Sequence, residues 1–337
     1  MKIKIIYEFN DGPWGGANQF LKALRKELQD EKIYTENDAE ADVFIINSIN
    51  AFKDLWNIYN LRRKYPQKVF IHRVDGPVFL IRGKDDYIDK GIFQINNMFA
   101  DATIYQTQWS KEKCIERGMK DNKPSVTICN GCNKDIFFPK DNKDIQTKIK
   151  IIATSWSNNW NKGFKYYQYL DEHIDIKNYT FTFVGNSPVQ FINGTIIPPV
   201  NSKELGDILR DSDIYITASK NDPCSNSLIE ALCCQLPAVV LKDGGHPFIL
   251  QGGGETFETP EEMMSAIKKV AENIQKYKEN VPDYDIRVIS KDYVDFAKKV
   301  VEMKKNGQIR INSYKLGTYI SVAKYKIIPF IKHIIKQ

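Results

Sequence analysis

The chain has 337 residues, 42% of them hydrophobic and 12% aromatic, and a formal net charge of +6. That length suits two domains, each able to bury its own core, and the composition excludes a disordered chain. Arg310, Lys315, Lys324, Lys326, Lys332 and Lys336 stand in a segment, 309–337, without an acidic residue; they account for the whole excess, so residues 1–308 are neutral and a nucleic-acid-binding body is excluded.

In chain order, residues 2–7 read as a strand that starts too close to Met1 and too polar for a leader peptide, so a cytoplasmic protein is expected. Phe20, Leu21, Leu24 and Leu28 follow at helical spacing. Residues 43–47, 69–72 and 103–106 are further strand candidates, each followed by a helix-compatible stretch. The polar, charge-rich piece 140–148 has no hydrophobic period and reads as a linker. The alternation restarts at 150–154, 180–184, 214–217 and 238–241. Two successive β/α runs predict two doubly wound, Rossmann-like α/β domains, at 1–140 and 149–290, with residues 291–337 as C-terminal helices returning to the first. No apolar run approaches the ~20 residues that span a bilayer. Binding sites in such folds lie beyond the carboxyl ends of the strands, so those loops carry the functional reading.

Six cysteines, Cys114, Cys129, Cys132, Cys224, Cys233 and Cys234, are expected as thiols rather than a disulfide framework. Cys129-Asn-Gly-Cys132 has zinc-ligand spacing but no second pair, and reads as a loop with two buried thiols. Asp211-Ser-Asp213 precedes a strand instead of following one, and reads as a turn, not a metal site. Trp109, Trp156 and Trp160 are expected in cores; Trp14, beside a glycine pair, is the candidate sugar platform.

Three loops are informative. Gly15-Gly16 opens the first helix, where backbone can approach an anion closely. Lys162-Gly163 follows the strand at 150–154, in reach of a phosphate. Ser219-Lys-Asn-Asp222-Pro-Cys-Ser225-Asn226-Ser227-Leu228-Ile-Glu230 follows strand 214–217 and enters a helix capped by Ser225 or Asn226. The backbone N–H groups of Ser227 and Leu228 are expected to face a diphosphate. Asp222 and Glu230, seven residues apart, are carboxylates able to accept hydroxyl hydrogen bonds from a sugar or ribose.

These residues resemble the family-4 retaining glycosyltransferases of the GT-B fold, in which two Rossmann-like domains face each other across a cleft. Asp222, Glu230, the segment Ala231-Leu-Cys-Cys-Gln-Leu-Pro237-Ala-Val-Val240 and Gly244-Gly245 stand at that family's two-acid motif and the strand after it. Asn130-Gly131-Cys132 through Pro139, Lys162-Gly163 and Gly15-Gly16 match three further motifs, over residues 1–305 altogether. The resemblance implies that Glu230 holds the donor ribose, Asp222 the donor sugar and Lys162 the diphosphate, assisted by Asn226, Ser227, Leu228, Gly15, Gly16, Gly244 and Gly245. Either His72 or Asp75 would contact the transferred sugar. Asp222 replaces the usual glutamate, the arginine ahead of the lysine-glycine pair is missing, and Phe248 stands where a glutamate often follows the second glycine pair.

The implied activity is metal-independent, retaining transfer from a nucleoside diphosphate-sugar to a glycan or lipid-linked acceptor, with no resident cofactor. The alternatives are a non-catalytic nucleotide-sugar or glycan-binding partner, and a sugar-nucleotide epimerase or hydrolase of the same fold. In the tail, Phe330, Ile331, Ile334 and Ile335 share a helical face with Lys332 and Lys336 off it; such a helix either packs on the first domain or lies on the inner, anionic face of a membrane.

Overall fold

The structure is a computed structural model; it describes residues 1–10, 16–140 and 148–334, with side chains through Lys326. Contacts divide the chain into two units, one of Met1–Asn10, Leu24–Cys129 and Ile289–Gln337, the other of Asp11–Ala23 and Asn130–Val288.

The first unit is built on a parallel sheet of β1 (Ile3–Ile6), β2 (Val43–Asn47), β3 (Val69–Val74), β4 (Ala102–Tyr105) and β5 (Ser125–Thr127), in that spatial order. Every residue of β2, β3 and β4 is buried, as expected for strands covered on both faces. Around the sheet, Phe44, Phe70, Ile92, Phe99 and Leu55 anchor one hydrophobic cluster. At the amino edge Asp101 accepts from Arg62 Nη2 (2.6 Å), Lys304 Nζ (2.9 Å) and the Phe70 N–H (2.9 Å), which fastens the helix Ile286–Lys305 to the sheet. The final helix, Leu316–Ile334, packs on the helix Asp86–Phe99 through buried Val322 and Ala323. The side chains of Phe330, Ile331, Ile334 and Ile335 lie outside the described residues.

The second unit holds β6 (Ile149–Ser155), β7 (Tyr179–Gly185), β8 (Thr195–Ile197), β9 (Ile214–Thr217), β10 (Ala238–Leu241) and β11 (Gly254–Phe257). All are parallel, in the order β11-β10-β9-β6-β7-β8. The chain leaves β6 toward β7 and β8, then returns to pair β9 on the other side of β6, Ile151 beside Ile214. That reversal is a topological switch point, and in parallel α/β sheets binding sites lie beside it, in the loops beyond the carboxyl ends of the strands. Phe164, Tyr167, Phe183, Ile216 and Val239 form the core of this unit. Two parallel sheets therefore stand where two β/α runs are predicted; β5, β8 and β11, which the sequence pattern does not single out, extend their edges.

The cysteine expectation needs correction. Cys132 and Cys233 are joined as a disulfide, while Cys114, Cys129, Cys224 and Cys234 are buried and in no disulfide. Folding lays the Asn130-Gly131-Cys132 segment against the end of the helix Asn226–Cys233, and a pairing across 101 residues leaves no local spacing signal.

Candidate functional site

The loops after β6 and β9 meet at the switch point of the second sheet. Gly163 has φ 92° and ends a short 3-10 turn, Trp160–Lys162; a Cβ there would come within 2.5 Å of Ala218, so only glycine lets the two loops touch. The Lys220 N–H donates to the Asn161 carbonyl at 2.7 Å, tying the loops together. This brings Lys162 Nζ to 3.1 Å from Asp222 Oδ2. Burial alone would raise the Asp222 carboxyl, but the Lys162 ammonium, His246 and the Cys224 N–H outweigh it and hold the group below the usual carboxylate range.

The loop after β10 supports Asp222 from the other side. Gly244 has φ 62°, and a Cβ on it would lie 2.4 Å from the Asp222 carbonyl oxygen. The next amide, Gly245 N–H, donates to that oxygen at 2.8 Å, and Asp243 accepts the Asn221 N–H. Gly244 and Gly245 therefore cradle the backbone of the Asp222 turn. His246 follows directly. It is wholly buried, its Nδ1 lies 3.3 Å from the Leu241 carbonyl oxygen, and its Nε2 has no partner among the described residues. Burial lowers its pKa, although Asp222 pulls the other way. His246 escaped the sequence reading; its place immediately after the glycine pair was the available signal.

The helix Asn226–Cys233 begins three residues after Pro223. Ser225 is its N-cap and accepts from the Leu228 N–H at 3.4 Å. The Leu228 amide is thus already engaged, a correction to the expectation that it faces a ligand; the N–H groups of Asn226 and Ser227 are the ones at the helix start. Leu228 itself is fully buried. The Asn226 Oδ1 accepts from Asn130 Nδ2 at 2.6 Å, and a Cβ on Gly16 would come within 2.2 Å of Asn226 Nδ2. Gly16 is thereby brought to the same helix start, while Gly15 and Trp14 lie outside the described residues.

One turn further on, Glu230 is half-buried. Among the described residues its carboxylate has neither a hydrogen-bond nor an ion-pair partner, and burial pushes it up to about 8. A carboxyl group held without a counter-charge is costly unless a ligand completes it.

In the first unit, His72 and Asp75 part company. His72 points into the core beside Asn96, with 0% exposure, and burial lowers it to about 3. Asp75 directly follows β3, with its side chain 25% exposed and its Oδ1 shared between Arg73 Nη1 and Gln106 Nε2. Of the two, Asp75 is the one open to solvent. Asp211 pairs with Lys150 at 2.7 Å, and Asp213 accepts the Lys150 N–H at 2.9 Å, so both acids pin the start of β6. Trp156 and Trp160 are exposed rather than in a core, and Trp109 is half-buried.

Residues 152–273, which carry Lys162, Asp222, Glu230 and His246, match the family model described as Glycosyl transferases group 1. A protein of Thermosipho melanesiensis described as "Probable sucrose-phosphate synthase" is 25% identical over 219 residues, 58% of this chain and 52% of that protein. The chain thus spans about half the length of that curated relative. Among solved structures, sucrose-phosphate synthase from Thermosynechococcus elongatus superposes with a TM-score of 0.67 at 12% identity, covering 89% of this chain and 98% of that one. Anabaena HepE in complex with UDP gives a TM-score of 0.68 at 14% identity, covering 89% of this chain and all (100%) of that one. Its complex with UDP-glucose gives 0.64 at 15%, with 91% and 100% covered. The chain has the two-sheet α/β fold of GT-B glycosyltransferases, and the segment that matches the group 1 glycosyl transferase model carries the Lys162–Asp222 pair and Glu230.

Proposed function

We propose that the protein is a retaining, metal-independent glycosyltransferase that moves a sugar from a nucleoside diphosphate-sugar to the hydroxyl of a glycan or lipid-linked acceptor. The observation that carries this is the unpaired Glu230 carboxylate, one helical turn beyond an N-terminus flanked by the Lys162–Asp222 pair. Glu230 accepts the two ribose hydroxyls, and the diphosphate lies over the amides of Asn226 and Ser227. Lys162 turns from Asp222 to the phosphates, which leaves the Asp222 carboxyl open to the donor sugar. Gly16, where a Cβ would collide with the Asn226 side chain, brings its backbone to the same helix start and to the phosphates there. The UDP and UDP-glucose bound by HepE make a uridine diphosphate-sugar the first donor to try.

In the reaction, the acceptor oxygen attacks the anomeric carbon on the face from which the diphosphate departs. The carbon–oxygen bond to the β-phosphate breaks, and that phosphate oxygen takes the acceptor proton. Lys162 and the helix amides hold the charge that develops on the leaving group. No protein nucleophile and no resident cofactor are called upon, so Asp222 and Glu230 do not act as a glycosidase pair. Asp75, at the edge of the first sheet, is the candidate for contact with the transferred sugar.

The test is calorimetric titration of UDP-glucose, UDP-N-acetylglucosamine and GDP-mannose into the parent and Glu230→Ala proteins. Binding of one donor by the parent, lost in the variant, is the expected result; a variant that loads donor as tightly as the parent ends the proposal. Membrane contact through residues 309–337 belongs to the same reading. No helix among the described residues is long and apolar enough to cross a membrane. Exposed Leu316 and Ile320 stand among Lys315, Lys324 and Lys326, and deletion of 309–337 is expected to abolish binding to anionic phospholipid vesicles. Equal binding before and after deletion removes that part.

A further inference from the structure

We propose that Trp156 and Trp160 form a stacking platform for a glycan chain, which serves as acceptor if the transferase reading above holds. The loop after β6 reads Ser155-Trp156-Ser157-Asn158-Asn159-Trp160-Asn161 and contains no charged residue. Its two indoles are 49% and 58% exposed. Among the described residues Trp156 has no aromatic neighbour, and Trp160 meets Phe164 edge-to-face at 81°, with centroids 6.3 Å apart. Large apolar rings left in water are commonplace on floppy loops, but this loop is pinned. Ser155 Oγ donates to the Ser157 carbonyl (2.8 Å) and accepts the Ser157 N–H (3.2 Å); Asn159 Oδ1 accepts the Asn161 N–H (2.9 Å). Asn186 Nδ2 donates to the Trp156 carbonyl (2.7 Å), and the Asn161 carbonyl accepts the Lys220 N–H (2.7 Å). Rigid exposed aromatic surface of this kind marks a place where something binds.

The chemistry of the loop selects the occupant. A pyranose ring offers a face of C–H bonds to an indole and a rim of hydroxyls to amide side chains, and exposed Asn158, Asn159 and Asn161 interleave with the two rings. The absence of charge fits a neutral glycan better than a phosphate-bearing polymer or an anionic lipid surface. The loop ends on Lys162, whose Nζ lies 3.1 Å from Asp222, so the two rings and the candidate donor site share one loop.

Affinity electrophoresis of the full chain in gels containing glycogen, mixed-linkage β-glucan, galactomannan or xylan tests this directly. At least one polysaccharide is expected to retard the parent. The double variant Trp156→Ala/Trp160→Ala should bind it on the order of tenfold more weakly, and Trp156→Phe/Trp160→Phe should recover most of the loss. UDP-glucose titration, run on the same samples, should be unchanged by either variant. An unretarded parent in every gel overturns the proposal, as does an alanine variant retarded like the parent. Loss of UDP-glucose binding with retained glycan binding would also overturn it, by making the indoles a wall of the nucleotide site. Glycan retardation without binding of any sugar nucleotide would instead defeat the transferase reading and leave the platform standing.

Discussion

At the carboxyl edge of β3, the guanidinium of Arg73 is wholly buried and divided among Asn47, Asp75 and the Tyr293 hydroxyl, at 2.5, 2.5 and 3.2 Å. At the carboxyl edge of the second sheet, Glu230 has no partner among the described residues and His246 has a buried, unpaired Nε2. The two sheets share parallel pairing and the same covering by helices, so the difference lies in strand order and loop content. The described strands of the first sheet run in sequence order, and Asn47, Arg73, Asp75 and Gln106 at their ends bond one another, while the neighbouring His72 keeps two buried ring nitrogens without a partner among the described residues. The second sheet reverses direction between β6 and β9, and beyond its strand ends Glu230 and the His246 Nε2 keep no partner among the described residues. A saturated edge stabilises the fold; an unsaturated one is available for binding.

That contrast can be broken at either edge. The largest effect is expected in the first unit. Arg73→Ala would leave Asn47 and Asp75 without their buried donor and should lower stability by about 3–5 kcal/mol, read as a fall in the urea midpoint. A midpoint equal to the parent's would mean that the network is not structural. Next is Glu230→Ala, expected to weaken donor binding on the order of 30-fold, the worth of two hydrogen bonds to a carboxyl group, with the fold intact by circular dichroism. Lys162→Ala should weaken it less, about tenfold, because Lys162 gives up its pairing with Asp222 in order to reach a phosphate. A variant that binds donor more tightly than the parent would show that the ion pair opposes binding instead.

The smallest effect is in pH dependence. Glu230 keeps its proton in the folded chain up to about 8, whereas an unfolded glutamic acid releases it near 4.5. Unfolding therefore releases a proton within that window, and the stability contributed by the protonated form is lost as pH rises toward 8. Glu230→Gln should flatten this part of the melting-temperature profile between pH 5 and 8; parallel profiles for variant and parent would contradict the raised value.

Much of the second unit's site was legible because its parts are local. Lys162-Gly163 and the stretch from Asp222 to Glu230 each occupy one loop or one helix start, where spacing marks the turn glycine and the cap residue, while the roles of Lys162, Asp222 and Glu230 come only from the family resemblance. The strands at 43–47, 214–217 and 238–241 were equally plain, as β-branched runs buried on both faces. β5, β8 and β11 were not, since short edge strands of half-buried residues carry little hydrophobic signal. The exposure of Trp156 and Trp160 was misread because a tryptophan's preference for burial is an average, and only the hydrogen bonds of the loop decide where these two rings lie.

By itself, the order of residues determined the two α/β runs, the neutrality of residues 1–308 with its basic tail, and the chemistry available in each loop after a strand. Tertiary structure alone decided which of those groups are occupied. It enclosed His72, engaged the Leu228 amide through Ser225, joined Cys132 to Cys233, set His246 beside Asp222 and left Glu230 without a partner. The physical reason is range. Periodicity and capping act over a few residues, whereas desolvation and pairing depend on neighbours brought together across tens to hundreds of positions, and those neighbours exist only once the sheets have formed.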